Sequence, residues 1–269
     1  MAGRVEGKVA FVTGVARGQG RSHALRLAEE GADIIGVDLC GPVPGLQYSH
    51  ATDDDLAETV RQVEALDRRI IARKADVRDR DAMKAVIDEG VAELGHLDIV
   101  VGNAGICIIA EWDKVTPEIW NETISTNLTG VWNTVQLTAP HLIEAGGGSI
   151  ILTSSAAGLK GLPFLTPYVA SKFGVTGLTK AFAHELAEYS IRVNSLHPTG
   201  VETAMGEMGA AYPPLLEAHP KLGGMLANSL PVEVTQPRDQ SNAVLFLASD
   251  EARYVTAMAM TVDAGNTQY

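Results

Sequence analysis

Lys8-Val9-Ala10-Phe11-Val12-Thr13-Gly14-Val15-Ala16-Arg17-Gly18-Gln19-Gly20 decides the fold. The apolar run 8–13 reads as a strand, and Thr-Gly-x-x-x-Gly-x-Gly as a sharp turn. The pattern beyond it (Ser22, His23, Ala24, Leu25, Leu27, Ala28) reads as a helix. Glycine permits the turn and lets a phosphate approach backbone amides without meeting a Cβ. The free N–H groups and partial positive charge of the helix N-terminus then suit a pyrophosphate. A second strand-like run, 33–38, follows the helix and ends in Asp38. A carboxylate at that point suits the adenosine ribose hydroxyls and repels a 2′-phosphate.

Working outward, strand-like runs recur at 69–75, 97–102, 148–153, 191–197 and 258–262. Helical patterns lie between them, near 54–67, 79–94, 116–145, 166–189 and 237–248. Such alternation, with right-handed crossovers, predicts a parallel sheet covered on both faces. No linker or repeat interrupts it, so residues 1–269 are expected to form one domain.

Two connections exceed the usual βα loop of about 2–6 residues. The stretch 39–53 carries prolines and glycines that rule out regular structure, and sits beside the expected ribose site. It reads as a lid over the cofactor or as a passive surface loop. The stretch 199–236 contains Met205, Met208, Tyr212, Leu215, Leu216, Met225, Leu226 and Leu230. It reads as an adaptable wall for an apolar substrate or as core beneath a long loop.

The composition narrows the class. Of 269 residues, 46% are apolar and 20% charged, as in a globular chain. No apolar run reaches the roughly 20 residues of a membrane helix, and the N-terminus lacks a signal-peptide stretch. With 21 basic against 33 acidic residues, a net charge of −12 and no basic stripe, nucleic acid and anionic membrane are poor partners. The two cysteines, Cys40 and Cys107, make neither a disulfide framework nor a metal cluster, so no metal is expected and a reducing cytoplasm is.

Tyr168-Val169-Ala170-Ser171-Lys172 carries the chemistry. Residues four apart share a helix face. A phenol with an ordinary pKa of about 10 is a poor base at neutral pH. One ammonium at about 4 Å, at an effective dielectric near 20, contributes about 4 kcal/mol, enough to bring it near 7. Upstream, Ser149-Ile150-Ile151-Leu152-Thr153-Ser154-Ser155 is a strand ending in hydroxyls at the ligand edge of the sheet. A serine there suits a hydrogen bond to a substrate oxygen, or the cap of a turn. His197, Trp112 and Trp120 read as structural, the tryptophans as core or subunit contact, and Cys107 as a small apolar filler.

Together these residues resemble the short-chain dehydrogenase/reductase family from Gly7 to about Gly265. The matching set is Thr13-Gly14-x-x-x-Gly18-x-Gly20, Asp76-Val77, Asn103-Ala104-Gly105, Asn127, Ser155, Tyr168-x-x-x-Lys172 and Pro198…Thr203. The resemblance implies an α/β, doubly wound Rossmann-type fold with a seven-stranded parallel sheet. It implies NAD as cofactor and hydride transfer between a secondary alcohol and a ketone. Tyr168 would be the general acid/base, Lys172 would hold the nicotinamide ribose, and Ser155, 13 residues before Tyr168, would polarise the substrate oxygen. Asn127 would anchor a water in the proton relay. Gly14, Ala16, Arg17, Gly18, Gln19, Gly20, Asp38 and Leu39 would surround the pyrophosphate and ribose. Asp76 and Val77 would meet the adenine, Asn103, Ala104 and Gly105 would line the cofactor, and Pro198, Val201 and Thr203 would meet the carboxamide.

Three positions depart from the family pattern. Gly102 replaces the usual first Asn, Thr199 is inserted between Pro198 and Gly200, and Arg17 resembles the basic residue of NADP-preferring relatives. Asp38 still favours NAD, because a carboxylate beside a 2′-phosphate costs more than a mobile surface arginine returns. The insert, the run Thr13–His23 and His197-Pro198-Thr199-Gly200-Val201 resemble the mycofactocin-coupled, carveol dehydrogenase-like subgroup. That likeness implies an apolar, terpenoid-like substrate, enclosed NAD, an external redox carrier and a homotetramer. The alternatives are freely exchanging NAD with a steroid, sugar or acyl substrate, and a non-catalytic NAD(H)-binding sensor.

Overall fold

The computed structural model describes residues 3–268. Seven parallel strands form one sheet: β1 (Val9–Thr13), β2 (Asp33–Asp38), β3 (Ile70–Lys74), β4 (Ile99–Gly102), β5 (Gly148–Thr153), β6 (Ile191–Pro198) and β7 (Ala259–Val262). Their spatial order is β3-β2-β1-β4-β5-β6-β7. The direction of winding therefore reverses between β1 and β4, which pair through Ala10–Ile99, Phe11–Val100 and Val12–Val101. Their carboxyl ends splay apart there, and such a fold binds its ligand in that gap.

The strands are apolar throughout because both faces are covered. Alternate residues of each strand go to opposite sides. Val9, Phe11, Ile35, Val37, Val100, Ile150 and Leu152 pack beneath α3 (Arg80–Leu94), α5 (Gly130–Glu144) and α6 (Thr166–Glu185). Ala10, Val12, Ile34, Ile99, Val101 and Ile151 pack beneath α1 (Gly18–Glu29), α2 (Asp53–Glu64) and α8 (Pro237–Ala248).

One sequence expectation is corrected and another narrowed. The helical pattern 116–145 is not one helix: α4 (Pro117–Ile124) and α5 are joined by a π-helical turn, Ser125–Thr129. The cause is Asn127, whose amide is drawn to the main chain of Ile106, accepting from its N–H at 2.8 Å and donating to its carbonyl at 2.8 Å. The extra residue in the turn rotates Asn127 inward. Of the two readings of the tryptophans, core is ruled out and subunit contact stays open: Trp112 is 83% exposed and Trp120 40%.

The stretch Leu39–Thr52 has no helix or strand. Regular structure resumes at α2, where Thr52 and Asp55 form a reciprocal capping box. The connection 199–236 is more ordered, with short helical turns around α7 (Tyr212–Ala218).

Candidate active site

A cleft open at its mouth runs across the carboxyl edge of the sheet at the reversal point. Its floor is Gly14, Arg17, Gly18 and Gln19. One wall is Asp38, Leu39, Asp76 and Val77, and the far end is Asn103, Ala104, Gly105 and Ile106. Thr203 and Met205 from the 199–236 connection complete it.

The floor suits a pyrophosphate. Gly14 turns at φ +70°, and a Cβ there would lie 3.0 Å from the Ala104 backbone. Arg17 stands at the N-cap of α1 without a side-chain hydrogen bond to it, so the first-turn amides have no capping side chain as partner. Thr13 fixes the opposite lip, its hydroxyl accepting from Asn103 N at 2.9 Å and Ala104 N at 3.0 Å.

Of the residues expected on the cofactor, Ala16, Gly20, Tyr168, Lys172, Pro198 and Val201 are not in the lining of this cleft. Ala16 is fully buried and does not line the cleft: its N–H donates to Asp38 Oδ2 at 2.9 Å. Gly20 does not line it either, because it packs α1 onto the turn, where a Cβ would sit 1.9 Å from the Gly14 carbonyl oxygen. Asp38 is oriented toward the cleft by Ala16 N and by Cys40 N at 3.1 Å. Burial works against the Asp76 carboxylate, but the Arg78 guanidinium outweighs it and holds the carboxyl below its usual range. Arg17 donates to the Ser49 hydroxyl at 3.2 Å and to the Ser49 carbonyl.

Behind the Gly105 end stand the other chemical groups. A Cβ on Gly105 would lie 3.3 Å from Asn127 Oδ1 and 3.5 Å from Lys172 Nζ. Lys172 is buried, donates to the Thr153 carbonyl at 2.8 Å, and lies 5.5 Å from the centre of the Tyr168 ring. Burial lowers the lysine to about 8 and raises the phenol above its ordinary value, and the Ser155 hydroxyl opposes that rise. Both groups are desolvated together, so burial opposes what the ammonium offers the phenol.

The two serines at the end of β5 divide. Ser154 is buried and donates to the Lys172 carbonyl at 2.9 Å, which ties β5 to α6. Ser155 begins a short helical turn, its hydroxyl accepting from Ala157 N at 3.1 Å. His197 steadies it: a carbonyl only accepts, so Nδ1 donates to Ser155 O at 2.8 Å, leaving Nε2 to accept from the Ser195 hydroxyl at 2.8 Å. Burial lowers the His197 pKa and so favours this neutral form.

Beside Tyr168 lies a separate apolar cluster of Cys107, Ile109 and Leu165, against which Met205, Met208, Tyr212 and Leu215 pack. Cys107 has no exposed surface and its thiol is pushed up to about 12 by burial, so it is a filler. The first methionines of the long connection form an apolar wall, whereas Met225 and Leu230 are exposed. Sequence reading missed Gln47, Tyr48 and Ser49, which fasten the insert over the cleft. Only the length of the insert signalled them.

The chain matches the short chain dehydrogenase family over residues 8–211. It is 47% identical to (-)-trans-carveol dehydrogenase of Rhodococcus erythropolis, over 98% of this chain and 99% of that one. Among solved structures, it is similar to a short chain dehydrogenase from Mycobacterium paratuberculosis bound to NAD, with TM-score 0.98, 54% identity, and coverage of 99% and 100%. Carveol dehydrogenase from Mycobacterium avium in complex with NAD gives TM-score 0.94 and 49% identity, with coverage of 99% and 100%.

Proposed function

The chain belongs to the short-chain dehydrogenase family and is an NAD-dependent oxidoreductase, and from that premise we propose that it interconverts an apolar, terpenoid-like secondary alcohol and its ketone. The observation that carries this reading is the grouping of Tyr168, Lys172 and Ser155 behind Gly105, beside an apolar cluster. When bound, NAD supplies the hydride acceptor and, oxidised, a positive charge near the phenol.

Tyr168 Oη takes the hydroxyl proton as the substrate C–H electron pair leaves as hydride, and returns it in ketone reduction. Ser155 donates to the substrate oxygen as charge develops on it. Lys172 spends one donor on Thr153 and keeps two for the nicotinamide ribose. Asp38 receives the adenosine ribose hydroxyls, and the amides of the Gly14–Gln19 turn take the pyrophosphate. The Asn127 side chain is committed to Ile106, so its part in a proton relay falls to its main-chain carbonyl in the π-helical turn.

The insert supports enclosed NAD, because Leu39, Cys40, Val43, Leu46 and Tyr48 face the cleft opposite the glycine turn. Enclosed cofactor requires reoxidation in place by an external redox carrier. Exposed Trp120, Trp132 and Phe173 on α4, α5 and α6 support a homotetramer. The two free, buried cysteines fit a reducing cytoplasm.

The test is a single turnover. Purified, dialysed protein mixed with trans-carveol, without added nucleotide, should give one reduced nicotinamide per site. No reduced nicotinamide, with or without added NAD, would refute the reading.

A further inference from the structure

The insert does more than cover the cleft, because it delivers a phenol to the border of the substrate cluster. Gln47 pairs its side-chain amide with Ile109 as a neighbouring strand would, accepting from Ile109 N at 2.8 Å and donating to Ile109 O at 3.0 Å. Ser49, two residues on, is fastened to Arg17 and Glu207. Tyr48, held between these two anchors, puts its hydroxyl 3.3 Å from Cys107 N and accepts from it. Cys107 and Ile109 belong to the same apolar cluster as Tyr168, Met205, Met208 and Tyr212.

Tyr48 thus lines the cofactor cleft with its oxygen at the main chain of Cys107, a member of the cluster that holds Tyr168. Its oxygen accepts from Cys107, but among the described residues its own proton has no acceptor within hydrogen-bond distance. Burial holds that proton in place by raising the phenol above its ordinary value. A largely desolvated O–H is costly to leave unpaired. An occupant offering an acceptor there gains, and one presenting only hydrocarbon strands the donor.

We propose that Tyr48 is a specificity-determining residue whose hydroxyl reads a second oxygen on the substrate, so that the pocket favours an apolar ring bearing two oxygens over the same ring bearing one. This rests on the alcohol–ketone reading above, with the first oxygen placed at Tyr168 and Ser155. The phenol reads any acceptor at that point, whether hydroxyl or ketone.

The test uses the full chain with its NAD, and compares cyclohexanol with the cyclohexanediol whose second hydroxyl lies across the ring. Single-turnover rates against concentration separate half-saturation from limiting rate. The wild-type protein should half-saturate with the diol at about tenfold lower concentration, the worth of one neutral hydrogen bond at its upper end. Tyr48→Phe keeps the ring and loses only the hydroxyl. It should raise the diol value about tenfold, bringing the ratio of the two half-saturation values to about one. Three results would overturn the proposal: no wild-type preference, a preference that survives in Tyr48→Phe, or loss of NAD from that variant, which would assign the phenol to the cofactor. Equal use of both alcohols would sink this inference alone. Failure on both, and on carveol, would sink the dehydrogenase reading with it.

Discussion

Lys172 Nζ lies 5.5 Å from the centre of the Tyr168 ring and gives one proton to the Thr153 carbonyl at 2.8 Å. Burial drives the two residues toward their neutral forms, the phenol upward and the ammonium down to about 8. The pair alone thus favours a protonated tyrosine, which suits ketone reduction. Alcohol oxidation needs a further positive charge, which oxidised nicotinamide brings when bound.

The expected pH behaviour follows directly. The rate of alcohol oxidation should rise from pH 6 into the alkaline range, as the phenol loses its proton, and that of ketone reduction should fall over the same range. Tyr168→Phe should cut both rates by about a thousandfold while NAD remains bound. Stopped-flow single turnovers and the nucleotide content of the variant check this. A rate within tenfold of wild type would remove Tyr168 from the role of acid/base.

Lys172 carries a stability cost as well as a function. A fall from 10.5 to about 8 corresponds to about 3 kcal/mol against the folded state while the lysine is charged. Between those two values the unfolded chain holds a proton that the folded chain releases, so this cost shrinks as pH rises through the window. Lys172→Met should therefore be more stable than wild type at pH 7 by about 2 kcal/mol, after about 1 kcal/mol for the lost Thr153 bond. The gain should fade toward pH 10.5 and turnover should be abolished. Urea midpoints at pH 7 and 10 decide it, and a variant less stable at pH 7 would refute the cost.

The sheet was legible because its signals are local. Phe11, Val37 and Val100 beside Ala10, Ile34 and Ile99 are buried from both sides, so a continuous apolar run is what each strand must show. The glycine turn and Tyr168/Lys172 were legible because steric and spacing demands are written in adjacent residues. The break between α4 and α5 was not, because it depends on Asn127 meeting the Ile106 main chain, 21 residues away in sequence. The contacts that Ala16 and Gly20 make within the fold were hidden for a similar reason. Their commitments, to Asp38 and to the Gly14 carbonyl, exist only once the turn has closed. Nor does any pattern within 39–53 announce that Tyr48 would meet Cys107.

Cofactor choice should turn on Asp38. Its carboxylate is aimed by Ala16 N and Cys40 N, while Arg17, the residue that would read a 2′-phosphate, is engaged by Ser49. Asp38→Asn keeps the shape and removes the charge. The affinity ratio of NADP to NAD should rise about tenfold, the scale of one partly screened charge contact. The gain should grow further in the double variant with Ser49→Ala, which removes the hydroxyl acceptor and leaves Arg17 only the main-chain carbonyl. Competitive binding to nucleotide-stripped protein measures both ratios, and an unchanged ratio in the single variant would mean that Asp38 does not discriminate.

Retention of NAD should depend on Ser49, the point where three segments meet. Its N–H and hydroxyl donate to the two carboxylate oxygens of Glu207 at 3.0 and 3.2 Å, and its hydroxyl and carbonyl accept from Arg17. The insert is thereby tied at once to the glycine turn and to the wall of the substrate cluster, so neither loop opens alone. These bonds are exposed, so each contributes about 1 kcal/mol or less and weakens with salt. Glu207→Ala removes two of them at a residue outside the lining of the cleft. NAD release into an excess of competing nucleotide should then quicken about tenfold, while the single-turnover rate stays within twofold. Raising the ionic strength should quicken release from wild type more than from the variant. Release rates that ignore both the substitution and the salt would mean that Ser49 does not hold the insert closed, and that what retains the nucleotide lies in the Gln47–Ile109 pairing.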